Sequence, residues 1–235
     1  MTRPLLLLTR PAEEMATTMA AASAAGFEAV AAPLLQIEPL EWTVPPGWPD
    51  AILFTSARAP GLAARRAPVL LDIPAYAVGQ RTAAAAVSAG FRLAGEGLGD
   101  GSAILAAMAR DGRREILHLA GADTAPLDIA DAVRLVRVPV YAARLVSALP
   151  PAAVNALSGE LFATLLFSAR TARHFRALAE AAGVEPQGQR IVCFSAAVAE
   201  AAGGGWGGIG IAAVPTLDAA LAAAQALWQG SGHGR

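Results

Sequence analysis

The chain has 235 residues and a formal net charge of −1, and 55% of its residues are hydrophobic. This length accommodates one large domain or two compact ones, and the balanced charge excludes the strongly basic surface typical of nucleic-acid-binding proteins. All 18 basic residues are arginine, which excludes lysine Schiff bases, pyridoxal phosphate anchoring and Walker-type phosphate loops. No apolar run is long enough for a membrane span and the first residues lack the pattern of a signal peptide, so we expect a cytoplasmic protein without membrane contact.

Cysteine and histidine are too few and too scattered for a metal cluster. The sequence has one cysteine and three histidines. Cys193 lies within an apolar segment and is expected to be an inert buried thiol. We therefore expect no disulfide and no bound metal, and a fold that depends on its hydrophobic core.

Short β-type segments alternate with alanine-rich helical segments, which is the pattern of α/β domains with mostly parallel sheets. The apolar run Leu5 to Thr9 predicts a strand that is buried on both faces. A helix over Glu13 to Ala25 and a strand over Phe27 to Ala32 follow it. Prolines within residues 33–49 then indicate a crossing between two bodies.

Two further series of elements follow this crossing. The middle series has predicted strands at Ala51 to Thr55, Ala75 to Val78, Phe91 to Ala94, Glu115 to Leu119 and Val133 to Val138, and helices at Ala57 to Arg66, Thr82 to Ala89 and Ser102 to Ala109. The last series has strands at Ala163 to Phe167, Arg190 to Phe194 and Ile209 to Val214, and helices at Ala152 to Leu157, Arg170 to Ala182, Ala196 to Ala202 and Thr216 to Trp228. Two strands before the first crossing and three after the second make five, the same number as in the middle series.

Internal similarity indicates two related domains. The segment Phe54 to Arg58 resembles Leu166 to Arg170, and Val78 to Ala83 follows the first as Phe194 to Ala199 follows the second. We predict an α/β fold of two similar flavodoxin-like domains with parallel sheets, joined by a two-stranded linker, the second domain being inserted into the first. The predicted boundaries are 1–34 and 145–235 for the first domain, 41–137 for the second, and 35–40 and 138–144 for the linkers.

The matched turns lie where a strand ends and a helix begins. In open α/β sheets such positions bind anions, because backbone N–H groups and the helix dipole point at the ligand. Ordinary helix capping by serine or threonine is the alternative explanation for each turn. The presence of four such turns, with Arg10, Arg58, Arg81 and Arg170 nearby, favours a cleft for a polyanion.

Two glycine runs carry little information. Residues 203–208 contain G-x-G-x-x-G, but the run follows a helix and leads into a strand, the opposite of a dinucleotide fingerprint. Residues 95–101 have the right context and the wrong spacing. A nucleotide-dependent enzyme of the Rossmann type is therefore disfavoured.

Tyr141 and His118 are the side chains whose roles stay open. Tyr141, in the second linker, either packs its ring as a structural residue or faces a cleft, where its hydroxyl is a neutral proton donor. His118 lies at the end of a predicted strand and is expected in the core or at a cleft edge. No Ser-His-Asp arrangement is evident.

Short motifs in a fixed order identify a family. They are Leu8 to Pro11, Pro33-Leu34, Phe54 to Ser56, Val78 to Ala83, Leu119 to Gly121, Val140-Tyr141, Phe167-Ser168 and Val214 to Thr216. Together, over nearly the whole length, they resemble the uroporphyrinogen-III synthase family. The resemblance implies the two-domain fold with a two-stranded linker that the internal similarity also indicates.

The resemblance further implies a lyase of tetrapyrrole and heme biosynthesis that needs no cofactor. Such enzymes convert linear hydroxymethylbilane to uroporphyrinogen III in the interdomain cleft, inverting the terminal pyrrole ring and releasing water. By resemblance, Tyr141 assists departure of the substrate hydroxyl, and the resulting azafulvene cation attacks the substituted carbon of the terminal ring. A spiro intermediate then rearranges. The substrate carries eight carboxylates, which suits a cleft of helix N-termini and arginines.

The implied substrate-binding residues lie at the chain's first turn and at the matched turns. They are Arg10, Ser56, Ala57, Gly79, Gln80, Arg81, Thr82, Ser168, Ala169, Ser195, Ala196 and Ala197. We also expect a monomer without a nucleic-acid partner and a transient contact with hydroxymethylbilane synthase.

The sequence departs from the family pattern at two places. Val198 stands where the second glycine turn of the family has threonine, and the segment Gly121 to Val133 is short, so its helix is expected to be reduced to a turn. The alternatives to an active synthase are an inactive paralogue and a non-catalytic two-domain protein that binds an anion or a tetrapyrrole.

Overall fold

The computed structural model describes residues 3–97, 100–129 and 133–231. His233 and the middle of the glycine run 95–101 lie outside these ranges. The chain divides into two compact units, one of Met1–Gln36 with Arg144–Arg235 and the other of Ile37–Ala143. We call the first the terminal unit, because it contains both chain ends, and the second the inserted unit.

Strands and helices alternate along the chain, which confirms the predicted α/β fold with parallel sheets. In chain order the elements are β1 (Leu5–Leu8), α1 (Ala12–Ala24), β2 (Glu28–Ala31), β3 (Leu35–Pro39), β4 (Ala51–Phe54), α2 (Ala59–Arg66), β5 (Ala75–Val78), α3 (Gln80–Ser88), β6 (Leu93–Gly97), α4 (Gly101–Arg110), β7 (Glu115–Gly121), β8 (Arg134–Leu145), α5 (Pro151–Leu157), β9 (Leu161–Leu166), α6 (Ala169–Ala181), β10 (Arg190–Cys193), α7 (Ala196–Ala202), β11 (Gly208–Ile211) and α8 (Leu217–Gly230). In the part of the chain that the structure describes, no helix combines the length and apolar character that a bilayer span requires.

The sheet of the terminal unit has the order β11-β10-β9-β1-β2, and its four neighbouring strand pairs are parallel. Successive side chains of a strand point to opposite faces, so an unbroken apolar strand needs a covered sheet on both sides. In β1, Leu7 packs with Phe175 on one face, while Leu6 and Leu8 pack with Phe27 on the other. The sheet is therefore the middle layer between two cores.

The sheet of the inserted unit has six strands, in the order β3-β8-β7-β4-β5-β6. The prediction of five strands was wrong, because the first linker forms β3 and joins the sheet beside β8. Pairing with β3 satisfies backbone groups that an edge strand leaves open, as when Leu40 N–H donates to the Val140 carbonyl at 3.0 Å. The second linker and the preceding strand are one element, β8, because Pro139 removes a single backbone donor without ending the strand.

The two sheets share one spatial order but reach it by different chain paths. The terminal unit has the flavodoxin-like order directly, with β1 and β2 as its first two strands. In the inserted unit, the pair β7 and β8 occupies the corresponding place, yet it comes last in the chain. The units are thus circular permutations of each other. Strands in equivalent positions of the two sheets, such as β1 and β7, therefore occur at different points in the chain order of their units.

Several boundaries differ from the prediction, and one matters for the site. Helix α3 begins at Gln80 instead of Thr82, so Thr82 lies in the first turn and not at the cap. Strand β6 begins at Leu93 because Phe91, predicted to start it, packs its ring against Phe54 with centroids 4.9 Å apart. Between Gly121 and the next strand, residues 122–129 contain no helix, as the short segment predicts.

Candidate functional site

A hydrogen bond in the inserted unit joins the second linker to the turn after β4. The Tyr141 hydroxyl donates to Ser56 Oγ at 2.8 Å, and the same Oγ accepts the backbone N–H of Arg58 at 3.3 Å. Only 8% of Tyr141 is exposed. The tyrosine ring is therefore held in the fold, while Ser56 keeps its own proton as a donor.

Gly121 makes room for this tyrosine. A Cβ at Gly121 would lie 2.8 Å from Cζ and 3.0 Å from the hydroxyl oxygen of Tyr141, closer than side chains approach. Arg137 donates to the carbonyls of Gly121 and Ala122 at 3.1 and 2.6 Å, which fixes the backbone beneath the ring. The motif glycine is thus required for a close approach and not for a left-handed conformation.

A second polar pair lies one residue before Ser56. The hydroxyl of Thr55 and Nε2 of His118 are 2.9 Å apart. His118 is 1% exposed, and its Nδ1 is a buried atom with no hydrogen-bond partner within the described ranges. Burial, assisted by the charge of Arg137, lowers the pKa of His118 from 6.5 to about 4. The imidazole is therefore neutral at pH 7.

A pocket of about 340 Å³ lies in the inserted unit beside these hydrogen-bonded pairs. Thr55, Ser56 and Tyr141 line it together with the following residues from neighbouring segments: Val78, Gly101, Gly121, Asp123, Thr124, Ala125 and Leu127. Four hydroxyl groups and one carboxylate thus share one concave surface at the carboxyl ends of parallel strands, where α/β sheets bind ligands.

The glycine turn after β5 also lies in the inserted unit. Gly79 has a φ of 79°, and its carbonyl accepts the N–H groups of Thr82 and Ala83 at 3.0 Å. Gln80 and Arg81 are exposed in the first turn of α3, whose leading N–H groups lack partners within the helix. Thr82 is 5% exposed and supplies no side-chain cap, so the capping explanation for Thr82 was wrong.

In the terminal unit, the predicted serines cap their helices. Ser168 Oγ accepts the N–H of Thr171 at 3.1 Å at the start of α6. Ser195 Oγ accepts the N–H of Val198 at 3.4 Å at the start of α7. The side chain of Val198 is buried at 5% exposure, so this turn presents backbone groups and no hydroxyl at that position. Ala169, Ala196 and Ala197 lie in the first turns of the same two helices.

Aromatic rings and a guanidinium accompany these caps. The guanidinium carbon of Arg10 lies 4.7 Å from the Phe167 ring centroid and 5.9 Å from that of Phe194. Arg10 also pairs with Glu14 at 2.7 Å. The stacking and the ion pair hold a cation at the carboxyl end of β1.

Comparison with known proteins decides the family. The model for "Uroporphyrinogen-III synthase HemD" matches residues 16–222. The chain belongs to the uroporphyrinogen-III synthase family. No curated protein sequence matches it.

Solved structures of the uroporphyrinogen-III synthase family share the fold at low sequence identity. The synthetase of Helicobacter pylori is 17% identical, with a TM-score of 0.62 over 96% of this chain and 100% of that one. A mutant synthase of Thermus thermophilus is 15% identical, with a TM-score of 0.50 over 97% of this chain and 99% of that one. At such identity the likeness shows the fold alone.

The structure brings together only part of the predicted site. Tyr141 and Ser56 are in contact, and Gly121 packs against the tyrosine. The sequence reasoning missed Thr55 as a pocket residue and His118 as its partner. The position of Thr55 beside Ser56 at the end of a strand could have indicated a pocket residue. Its partner His118 was not predictable in this way, because it lies 63 positions away in the sequence. Within residues 3–97, 100–129 and 133–231, no group of His, Cys, Asp and Glu side chains has the arrangement of a metal site.

Proposed function

We propose that this chain converts hydroxymethylbilane to uroporphyrinogen III with loss of water. The observation that carries the proposal is the family match over residues 16–222. It makes the chain a lyase-type enzyme of tetrapyrrole biosynthesis, and the pocket of the inserted unit supplies groups suited to the first chemical step.

We assign Tyr141 as the proton donor for the leaving hydroxyl. A phenol O–H can serve as a general acid, and this one already donates a hydrogen bond to Ser56 Oγ at 2.8 Å. A substrate hydroxyl in the pocket receives the proton in one of two ways. Tyr141 donates it directly, or Ser56 donates its own hydroxyl proton to the substrate while it accepts the proton of Tyr141. The resulting tyrosinate regains a proton when the closed macrocycle restores its pyrrole ring.

Carboxylate binding is assigned to the helix-start turns of each unit. In the inserted unit, Gln80 and Arg81 present backbone N–H groups at the start of α3, and in the terminal unit Ala169, Ala196 and Ala197 do so for α6 and α7. Arg10 adds a stacked guanidinium. Because ring closure is intrinsically facile, the main task of these contacts is to hold the flexible chain for the inverted closure. Binding between the two units stays a prediction.

Thr82 tests the role of the glycine turn. Its hydroxyl caps no helix, so Thr82→Ala is expected to change stability by less than about 1 kcal/mol while raising KM. Kinetics and thermal unfolding measured on the same sample separate these two effects. A stability loss with unchanged KM would remove Thr82 from the binding site.

The activity test uses freshly generated hydroxymethylbilane and the purified protein without additives. The products are oxidised, and the type I and type III uroporphyrins are separated by chromatography. Formation of type III above the spontaneous background supports the proposal. Only type I from folded protein would contradict it and favour a binding protein or an inactive paralogue.

Three finer proposals concern the setting of the reaction. We propose a monomer that acts in the cytoplasm and contacts hydroxymethylbilane synthase transiently. Sedimentation of the protein alone, and then with the synthase during turnover, checks the monomer and the contact, and cell fractionation checks the location. A stable dimer of this chain would contradict the first proposal.

A further inference from the structure

We propose that His118 is a positioning residue that holds the Thr55 hydroxyl as a hydrogen-bond donor to the leaving oxygen of the substrate. The inference rests on the proposed function and adds two residues to it. It follows from the 2.9 Å contact between the two side chains and from the place of Thr55 in the pocket wall beside Ser56 and Tyr141.

The fold brings the pair together from distant parts of the chain. His118 is the register partner of Leu53 in β4, and Thr55 follows the end of that strand. On its other side, His118 pairs in register with Arg137 of β8. The backbone of His118 is therefore held between two parallel neighbouring strands, and among the described residues the Thr55 hydroxyl is what joins its imidazole to the pocket wall.

The unpaired ring nitrogen decides which atom of the pair donates. If Nδ1 carried the proton, a buried N–H would lack an acceptor, and such N–H groups are rarer in proteins than unpaired acceptors. The proton therefore belongs on Nε2, which donates to Thr55 Oγ1. The threonine must then donate its own proton elsewhere.

The Thr55 proton has no acceptor within residues 3–97, 100–129 and 133–231, since its hydroxyl makes no hydrogen bond there other than that with His118. Thr55 lines the pocket, so a ligand oxygen in the pocket is the acceptor that completes its hydrogen bonds. The neutral imidazole keeps this arrangement over a wide pH range, because Arg137 and burial both oppose a second proton on the ring.

The neighbours of Thr55 in the pocket select the substrate group. Ser56 and Tyr141 line the pocket beside Thr55, and Tyr141 is the residue that we assign as the proton donor to the leaving hydroxyl. We therefore place the hydroxymethyl end of the substrate against Thr55.

The step balances with these groups alone. The carbon–oxygen bond of the hydroxymethyl group breaks with its electron pair on oxygen, the proton of Tyr141 converts that oxygen to water, and the pyrrole carries the positive charge. Thr55 keeps its proton and only donates a hydrogen bond to the departing oxygen. His118 touches no reacting atom.

Steady-state kinetics test the assignment with matched variants. Thr55→Val removes the hydroxyl at constant shape, and we expect kcat to fall about tenfold with KM within about twofold of wild type. Thr55→Ser is expected to restore most of kcat. His118→Leu should match Thr55→Val, the double variant should be no worse than either, and His118→Gln, which keeps an N–H near the position of Nε2, should retain activity. An unchanged kcat, or a rise confined to KM, would overturn the assignment.

The tautomer is measured without substrate. Long-range proton–nitrogen NMR of the wild-type protein, with the His118 signals identified by their loss in His118→Gln, should show a protonated Nε2 and a bare Nδ1. A proton on Nδ1 would refute the positioning role. Wild-type protein that yields only type I product would refute the proposed function instead, so the two failures are distinguishable.

Discussion

The carboxyl edges of the two sheets use similar sequences in different ways. In the terminal unit, Ser168 caps α6, because that helix begins at the next residue. In the inserted unit, α2 begins only at Ala59, with Pro60 in its first turn, and Ser56 accepts a hydrogen bond from Tyr141 instead. The same Ser-Ala-Arg motif thus stabilises a helix in one unit and presents a hydroxyl at a pocket in the other.

The residues around the two serines strengthen this contrast. Phe167 takes the place of Thr55 in the terminal unit, and its ring stacks with Arg10, which supplies a cation. The inserted unit has the neutral pair of Thr55 and His118. We interpret the terminal edge as a surface for carboxylates alone. We interpret the inserted edge as the place where the hydroxyl leaves, in addition to the carboxylate contacts that we assign to the start of α3.

The largest expected effect comes from Tyr141→Phe. Loss of the general acid should lower kcat about one hundredfold, whereas loss of one hydrogen bond should cost only about 1 kcal/mol of stability. The matched control is Tyr76→Phe in the same unit, where the lost hydrogen bond is to Asp111 at 2.9 Å and outside the pocket. Equal kcat values for the two variants would show that Tyr141, like Tyr76, has only a structural role.

Gly121→Ala tests the close approach beneath the tyrosine ring. The new Cβ would lie 2.8 Å from Cζ of Tyr141, so we expect a loss of about 2 kcal/mol in the free energy of unfolding and a lower kcat. Gly188→Ala in the terminal unit is the control, because a Cβ there has no neighbour within 4 Å. Denaturant unfolding of both variants measures the difference, and similar values would show that the glycine is replaceable.

His118 makes the stability of the inserted unit sensitive to pH. Its pKa is about 4 in the folded protein, against 6.5 as the reference value, so the unfolded chain binds the extra proton between these values and stability falls as pH drops. We expect about 2 kcal/mol of loss from this residue between pH 7 and pH 5. Urea unfolding of wild type and His118→Gln at both pH values measures this loss. An equal change in the free energy of unfolding for the two proteins would refute the lowered pKa of His118.

The smallest effects are expected in the terminal unit. Ser168→Ala and Ser195→Ala should each cost about 1 kcal/mol of stability through loss of the helix cap. Because we assign carboxylate binding there to backbone N–H groups and not to the serine hydroxyls, we expect kcat to stay within about twofold of wild type. Thermal unfolding tests the expected loss of stability, and saturation kinetics test the expected kcat. A tenfold fall in kcat would show that these serine hydroxyls take part in the reaction.

The sequence predicted the layers of the fold well, because their signals are local. The leucines of β1 show a strand buried on both faces, and the positions of α7 and β5 agree with their predicted bounds. The two-stranded linker was predicted, and β3 lies beside β8 as expected. The prediction missed that these two strands belong to the second sheet, because that membership depends on contacts between residues far apart in the sequence.

Site prediction failed where it depended on helix starts and long-range partners. Identical Ser-Ala-Arg motifs differ in role because Pro60 shifts the start of one helix. The contact of Thr55 with His118 depends on the register of β4 against β7, which no local pattern specifies. Tyr141 was predictable because a family motif marks it, although its partner Ser56 lies 85 positions away.

The most direct test of the account is the isomer composition and rate of product formed at saturating hydroxymethylbilane by wild type, Tyr141→Phe and Ser195→Ala. We predict type III product from all three, with a turnover rate that falls about one hundredfold only in Tyr141→Phe. Type III formation at equal rates by Tyr141→Phe and Ser195→Ala would contradict the assignment of the chemistry to the inserted unit.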